Sequence, residues 1–218
     1  MSKRETEKPT ISPYTWFLSR RPDFMSSFIH PVRQEAVRHL ELKQGDRVLD
    51  VGCGTGTSFP YLVQAVRNAG EVVGVEISPA MAAEARKRVA NNGWSNVRVL
   101  QESAQTVKPT GTFDGLLLFG VQEVMTSPSA LDHLLPYLKD GARIVTFGAK
   151  LLPGCKGVVF NPFFSLFTRK LMPPSTAPID EQPWRLLEER VGKMQSEVYT
   201  GGLMYLAWGT VHTINTSI

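Results

Sequence analysis

The sequence has 218 residues, which is enough for one sizeable hydrophobic core and too few for two of ordinary size. Hydrophobic residues make up 42% and charged residues 20%, proportions that are ordinary for a globular protein and exclude a fibrous or largely disordered chain. The formal net charge of +4 permits an anionic partner but does not by itself argue for one.

Residues 1–40 are predicted to be an N-terminal segment that continues into a helix. Residues 1–12 are polar and typical of a frayed terminus. Pro31 suits the first turn of a helix that continues at helical spacing to Leu40. Ordered structure is expected to begin at a group of aromatic residues, namely Tyr14, Trp16, Phe17, Phe24 and Phe28.

Residues 41–150 are predicted to alternate between strands and helices. A short apolar run, Arg47–Val51, reads as a strand that enters a glycine-rich loop. A helix over 58–69 follows, and Gly70 stands where a C-terminal glycine is expected. A second strand is predicted over 71–77 because the run is β-branched and apolar.

Ser78 and Pro79 then indicate the start of another helix, as an N-cap and a first-turn residue. Further strands are predicted at 96–100, 115–119 and 143–147, with a helix over 129–138. Strands that alternate with helices predict a parallel sheet with helices on both faces.

After residue 150 the alternation stops. Residues 151–218 are predicted to be an insert and a C-terminal hairpin of the same domain. A helix is expected over 184–191, and two strand-like runs, 197–200 and 203–210, flank Gly201-Gly202.

The segment that carries the chemistry is residues 48–56, VLDVGCGTG, at the end of the first strand. Glycines there let the backbone approach a ligand closely, and the spacing is GxGxG. A dinucleotide fingerprint would instead need its third glycine at Thr57. The segment resembles the first motif of class I S-adenosylmethionine-dependent methyltransferases along its whole length, and the resemblance extends over 47–148.

The resemblance implies a Rossmann-like, doubly wound and mostly parallel seven-stranded sheet with a C-terminal antiparallel hairpin, and S-adenosylmethionine as cofactor. Asp50 and the glycines would line its methionine portion, Glu76 would accept hydrogen bonds from the ribose hydroxyls, and Ile77 would cover the adenine. The full set of cofactor-binding residues implied in this way is Asp50, Gly52, Cys53, Gly54, Thr55, Gly56, Glu76, Ile77, Glu102, Ser103, Ala104 and Phe119.

Four residues are candidates for the acceptor side. Tyr14 belongs to the aromatic N-terminal segment, which in related small-molecule enzymes folds over the cofactor as a lid and is called the aromatic lid below. Gln122 and Glu123 follow the fourth strand. His30 precedes Pro31 and is better explained as a structural cap than as a base. No acid or base is obligatory, because displacement at an activated methyl carbon depends mainly on positioning and exclusion of water.

Several partners are not expected. No NPPY tetrad follows the fourth strand and there are no basic tracts, so a nucleic-acid substrate is not predicted. The histidines and cysteines do not cluster at metal-ligand spacing, so no metal site is predicted. The opening residues do not resemble a secretory signal, no apolar run is long enough to span a membrane, and Cys53 and Cys155 have little reason to pair. A cytoplasmic location is therefore expected.

The acceptor is the least defined part of the prediction. Residues 158–171 are aromatic and end in Arg169 and Lys170, so this acceptor-side insert is expected to contact a membrane peripherally, to hold an acyl chain, or to pack over the sheet edge. The C-terminal third is similar to bacterial N-methyltransferases of phosphatidylethanolamine and betaine lipids. The leading hypothesis is therefore N-methylation of a small or lipid-headgroup amine with release of S-adenosylhomocysteine.

Three alternatives stay open. The first is O- or C-methylation of a phenolic or quinone-like acceptor, which an aromatic pocket would also tolerate. The second is an enzyme that cyclises the aminobutyrate chain of S-adenosylmethionine and releases methylthioadenosine. The third is a cofactor-binding module that regulates a partner. The sequence does not indicate the oligomeric state.

Overall fold

A computed structural model describes residues 22–152 and 180–212. Its helices are α1 (Pro22–His39), α2 (Phe59–Val66), α3 (Pro79–Asn91), α4 (Gln122–Met125), α5 (Pro128–Leu134) and α6 (Arg185–Val191). Its strands are β1 (Arg47–Val51), β2 (Glu71–Val75), β3 (Val97–Leu100), β4 (Phe113–Phe119), β5 (Leu138–Ala149), β6 (Gln195–Tyr199) and β7 (Met204–Thr210). Short 3-10 turns at Leu135–Tyr137 and Thr200–Gly202 precede β5 and join β6 to β7.

The strands form one sheet of seven in the order β3-β2-β1-β4-β5-β7-β6. The pairs from β3 to β5 are parallel, whereas β7 runs antiparallel to both β5 and β6. This confirms the predicted doubly wound, mostly parallel sheet and its C-terminal antiparallel hairpin. Val51 pairs with Val75 on one side and Leu118 on the other, so the carboxyl ends of the central strands lie level.

Side chains alternate between the two faces of the sheet, and each face carries its own hydrophobic cluster. Leu49 belongs to a cluster with residues of α5 and α6, whereas its neighbour Val48 packs with residues of α1, α2 and α3. Both are fully buried, as expected for a parallel strand covered on both sides. Helices on both faces therefore follow from the apolar side chains that the central strands place on both faces of the sheet.

The start of α3 follows from local chemistry. The Ser78 hydroxyl accepts a hydrogen bond from the Met81 amide at 3.5 Å, and Pro79 occupies the first turn. Ser127 caps α5 in the same way, with its hydroxyl 3.3 Å from the Ala130 amide. Such caps satisfy backbone donors that have no partner within the helix.

The prediction that Pro31 begins a helix is wrong. Pro31 lies inside α1, which begins at Pro22. A proline inside a helix removes one backbone hydrogen bond. Here Pro31 is exposed, while Ile29 and Val32 on either side pack against the cluster beneath α1. Burial of the apolar face therefore outweighs the lost hydrogen bond.

The predicted role of Gly70 as a helix-terminating residue is also wrong. α2 ends at Val66, and Arg67, rather than a glycine, takes the positive φ of 57° there. Gly70 is needed for close packing instead, since a Cβ on it would lie 2.3 Å from the Asp46 carbonyl oxygen. The glycine lets the chain re-enter the sheet beside the loop that precedes β1.

Some predictions fall on residues 1–21, 153–179 and 213–218, which lie outside the described residues. They concern the aromatic lid with Tyr14 and the insert at 158–171. The division into segments 1–40, 41–150 and 151–218 stays a prediction. Among the helices of residues 22–152 and 180–212, none combines the length and apolar character needed to cross a membrane.

Candidate functional site

The carboxyl ends of four neighbouring strands place most of the predicted site residues at one edge of the sheet. The loops that follow β3, β2, β1 and β4 emerge there, and the strand order reverses between β1 and β4. In open α/β sheets, ligands bind at this kind of reversal, outside the carboxyl ends of the strands. The segments that meet there are residues 52–56, 76–77, 101–104 and 119–123.

The glycine-rich loop after β1 is held against β2 by its backbone. The amides of Gly52 and Cys53 both donate to the Val75 carbonyl, at 2.7 and 3.1 Å. Gly52, Gly54 and Gly56 have φ values of 69°, 58° and 76°, a left-handed region that favours glycine. A Cβ on Gly54 would meet nothing within 4 Å, so the middle of the loop fronts open space.

Glu76 lies immediately beyond β2 and its side chain is buried, with 7% of the residue exposed. One carboxylate oxygen accepts from the Gly54 amide at 2.9 Å and the other from the Ser78 amide at 2.8 Å. Each oxygen keeps a further lone pair for a hydroxyl donor. Beside it Ile77 is 69% exposed, which is unusual for a large aliphatic side chain and suits contact with a planar ring.

Asp50 is a buried carboxylate near the end of β1. It is 1% exposed, and its Oδ2 atom has no hydrogen-bond partner among the described residues. Burial raises the pKa of Asp50 to about 7, Arg33 opposes that rise, and Glu76 adds to it. A buried acceptor of this kind is expected to receive a donor from a ligand.

Arg33, on α1, is the functional candidate that the sequence prediction missed. Its Nη1 donates to the Ser58 hydroxyl at 2.7 Å, and its guanidinium carbon lies 4.0 Å from the ring centroid of Phe119. Its Nε has no partner among the described residues. Burial lowers the pKa of Arg33, with Asp50 as the largest opposing influence.

A signal for Arg33 was present in the sequence. It stands three and four residues before Ala36 and Val37, both of which are buried on the inner face of α1. A charged residue at the spacing of an apolar stripe needs a partner. The opposite charge that influences it, Asp50, could not be identified without the fold, because it lies on β1.

The structure separates Gln122 from Glu123. Gln122 begins α4, and its Nε2 is buried without a partner among the described residues. Its Oε1 lies 3.2 Å from where a Cβ on Gly148 would stand, and Tyr205 approaches the same point at 3.1 Å. Glu123 is exposed. Gln122 therefore packs beside β5 and β7, whereas the side chain of Glu123 is open to solvent.

The remaining predicted cofactor residues differ in how they could contribute. Cys53 packs into the core, where burial raises the pKa of its thiol, so only its backbone faces the loop. Glu102 is exposed, the Ser103 hydroxyl accepts from the Gln105 amide at 3.2 Å, and Ala104 packs against the core. At the end of β4, Phe119 stacks on a second ring, while the Thr55 carbonyl accepts from an arginine of α3.

The interpretation of His30 as a cap before a helix is wrong, because His30 lies within α1. It is exposed, and its Nδ1 is 2.7 Å from the Tyr61 hydroxyl of α2. The ring of His30 also lies edge-on to that of Tyr61, with the two centroids 6.2 Å apart. In residues 22–152 and 180–212, no group of three or more histidine, cysteine and carboxylate side chains could hold a metal ion.

Taken together, the site fits an adenosine linked to an amino acid. Glu76 can accept from vicinal hydroxyls and Ile77 can cover a purine, while Asp50 offers a buried oxygen to an ammonium group. The Gly54 loop leaves room for the backbone to approach such a ligand. The fold and the site thus have the features expected of a nucleoside-binding α/β protein.

Comparison with known proteins narrows the class. A family described as a methyltransferase domain matches residues 48–141. Aklanonic acid methyltransferase DauC from Streptomyces sp. (strain C5) is 31% identical over 156 residues, which cover 71% of this chain and 66% of that protein. The ubiquinone/menaquinone biosynthesis C-methyltransferase UbiE from Coxiella burnetii (strain RSA 331 / Henzerling II) is 30% identical over 177 residues, 78% and 69% of the two chains.

A demethylmenaquinone methyltransferase from Symbiobacterium thermophilum is 32% identical over 119 residues, 53% of this chain and 47% of that protein. The alignments thus span from about half to about two thirds of the length of these relatives. The structure of an S-adenosylmethionine-dependent methyltransferase from Aquifex aeolicus superimposes with a TM-score of 0.62 over 82% of this chain and 89% of that one. At 24% identity this likeness shows the fold. The chain belongs to the class I S-adenosylmethionine-dependent methyltransferases.

Proposed function

We propose that this protein transfers the methyl group of S-adenosylmethionine to a carbon or oxygen atom of a small, conjugated acceptor that carries phenolic or quinone oxygens. The single observation that carries the cofactor half is the pair of buried carboxylates at the ends of β1 and β2. Asp50 offers an unpartnered oxygen, and Glu76 is oriented by two backbone amides. The assignment of the predicted residues to cofactor binding is part of this proposal.

The acceptor half is supported by Gln122. Its buried Nε2 is a donor without a partner among the described residues, and a phenolic or quinone oxygen would satisfy it. Two of the relatives named above have quinone compounds in their names and a third has aklanonic acid.

S-adenosylmethionine supplies an electrophilic methyl carbon on a sulfonium. The residues of this chain would bind, orient and exclude water, which is sufficient for an in-line displacement at an activated carbon. Gln122 would hold the acceptor oxygen through its buried amide. Tyr205 is fully buried behind Gln122 and is a positioning residue in this proposal.

N-methylation of a small or lipid-headgroup amine stays a prediction, as do membrane contact through residues 158–171 and a catalytic part for Tyr14, His30 or Glu123. Cyclisation of the cofactor with release of methylthioadenosine also stays open. All of these have distinct products. One experiment can therefore separate them.

The test is mass spectrometry of both the nucleoside and the acceptor products. Pure protein is incubated with S-adenosylmethionine alone, then with a reduced naphthoquinone, a catechol-type phenol or a phosphatidylethanolamine vesicle. The proposal predicts S-adenosylhomocysteine together with a methylated ring compound. Methylation of the amine only, or methylthioadenosine formed without an acceptor, would contradict it.

A pair of variants tests the part given to Gln122. Gln122→Leu removes the amide donor at similar volume and should lower transfer to the ring acceptor by roughly tenfold or more, since a hydrogen bond to the acceptor is lost. Glu123→Gln, at the exposed neighbouring position, should leave transfer unchanged. Equal effects of the two variants would argue against a direct contact of Gln122 with the acceptor.

A further inference from the structure

Two oppositely charged side chains of the interior lie close enough to influence each other electrostatically, yet each keeps a buried polar atom without a hydrogen-bond partner among the described residues. Asp50, at the end of β1, and Arg33, on α1, influence each other electrostatically. Nevertheless, Oδ2 of Asp50 and Nε of Arg33 both lack hydrogen-bond partners among the described residues. Each buried group has paid desolvation without regaining full hydrogen bonding.

The other contacts of Arg33 hold it in position. Nη1 donates to Ser58, the residue just before α2, and the guanidinium lies over the ring of Phe119 at the end of β4. The side chain therefore joins α1 to the ends of two loops around the site. If Arg33 served only to anchor α1, its buried Nε would be expected to have a hydrogen-bond partner within the protein.

A ligand with both charges would satisfy both side chains at once. An α-amino acid is such a ligand, because its ammonium group is a donor and its carboxylate is an acceptor of charge-assisted hydrogen bonds. A guanidinium suits a carboxylate especially well, since its donors lie in one plane. The amino-acid end of S-adenosylmethionine carries these two groups.

We propose that Arg33 binds the carboxylate of the cofactor's amino-acid end while Asp50 accepts from its ammonium group. This inference rests on the proposed cofactor. Because Arg33 belongs to α1, the bound cofactor would join this helix to the glycine-rich loop at 52–56. Arg33 is thus a binding residue that also couples cofactor occupancy to the position of the N-terminal helix.

The test compares two ligands that differ only in the carboxylate, S-adenosylmethionine and its decarboxylated form. Dissociation constants are measured by calorimetric titration for the wild-type protein and for Arg33→Met. The wild type should prefer the complete ligand by roughly tenfold to a hundredfold, the range of one charge-assisted contact. Arg33→Met should lose that preference while it binds the decarboxylated ligand as the wild type does.

Two further variants guard the interpretation. Arg38→Met removes an exposed arginine of the same helix, which pairs with Glu35, and should keep the full preference. Arg33→Gln keeps a donor for Ser58 while removing the charge, so it should lose the preference even if Arg33→Met folds poorly. Thermal unfolding of each variant is recorded without ligand.

The outcomes are distinguishable. A preference that survives in Arg33→Gln, or an equal loss of affinity for both ligands, would mean that Arg33 acts only on the structure, and would overturn the proposal. Failure of the wild type to bind either ligand would overturn the proposed cofactor and this inference with it. Loss confined to the ligand with a carboxylate supports the assignment of Arg33.

Discussion

The buried carboxylate of Asp50 predicts that cofactor affinity depends on pH near neutrality. Burial raises its pKa to about 7 in the ligand-free protein, against the opposing influence of Arg33. A ligand ammonium group binds the ionised carboxylate and discriminates against the protonated form. Affinity should therefore be nearly constant above pH 8 and should fall by about tenfold for each pH unit below 7.

The assay is titration calorimetry with S-adenosylhomocysteine between pH 5.5 and 8.5. Two controls isolate the group. Methylthioadenosine lacks the ammonium group and should show no such dependence, and Asp50→Asn should bind S-adenosylhomocysteine weakly with a flat profile. The reasoning is refuted if the wild-type affinity is the same at pH 6 and pH 8, or if Asp50→Asn retains the slope.

Three further predictions concern single residues. Glu76→Ala should weaken cofactor binding by about 1 to 3 kcal/mol in a folded protein, measured by the same titration, because a charge-assisted contact with the ribose is lost; unchanged affinity would exclude that contact. Gly52→Ala should lower the free energy of unfolding by at least about 2 kcal/mol, because the new Cβ would lie 2.0 Å from Val121 Cγ1. Gly54→Ala should cost only about 1 kcal/mol of backbone strain and should act mainly on cofactor binding. Denaturant titration compares the two variants, and equal destabilisation would be inconsistent with this difference in packing. Because the pKa of Asp50 is raised, the folded state binds its proton more tightly than the unfolded state, so the stability that this proton contributes is present below about pH 4 and is lost as pH rises towards 7. Asp50→Asn should therefore gain stability relative to the wild type over that interval, measured by denaturant titration at each pH. Parallel pH profiles of the two proteins would contradict this.

The parts of the fold that the sequence predicted are those with local causes. Ser78 and Pro79 begin α3 because a side-chain cap and a fixed φ act within one turn. The glycines after β1 predicted a close ligand approach because they adopt positive φ, which other residues rarely do. The apolar strands predicted a sheet covered on both faces, because each face needs its own layer of helices.

The parts that could not be predicted depend on contacts between distant segments. Pro31 indicated a helix start by local rules, but packing of α1 on the sheet extends the helix through it. Gly70 was assigned to a helix end, although its reason is the nearby Asp46 carbonyl of another loop. The proposed role of Arg33 depends on its electrostatic interaction with Asp50, a residue of β1 that only the fold brings near it.

The most direct test of the proposed cofactor site is a crystal structure of this protein with S-adenosylhomocysteine. We expect the ribose hydroxyls on Glu76 and the amino-acid end between Asp50 and Arg33, with the adenine against Ile77. Ligand bound elsewhere, for example in the groove lined by Arg143 and other residues at the opposite end of β5 and β7, would contradict it.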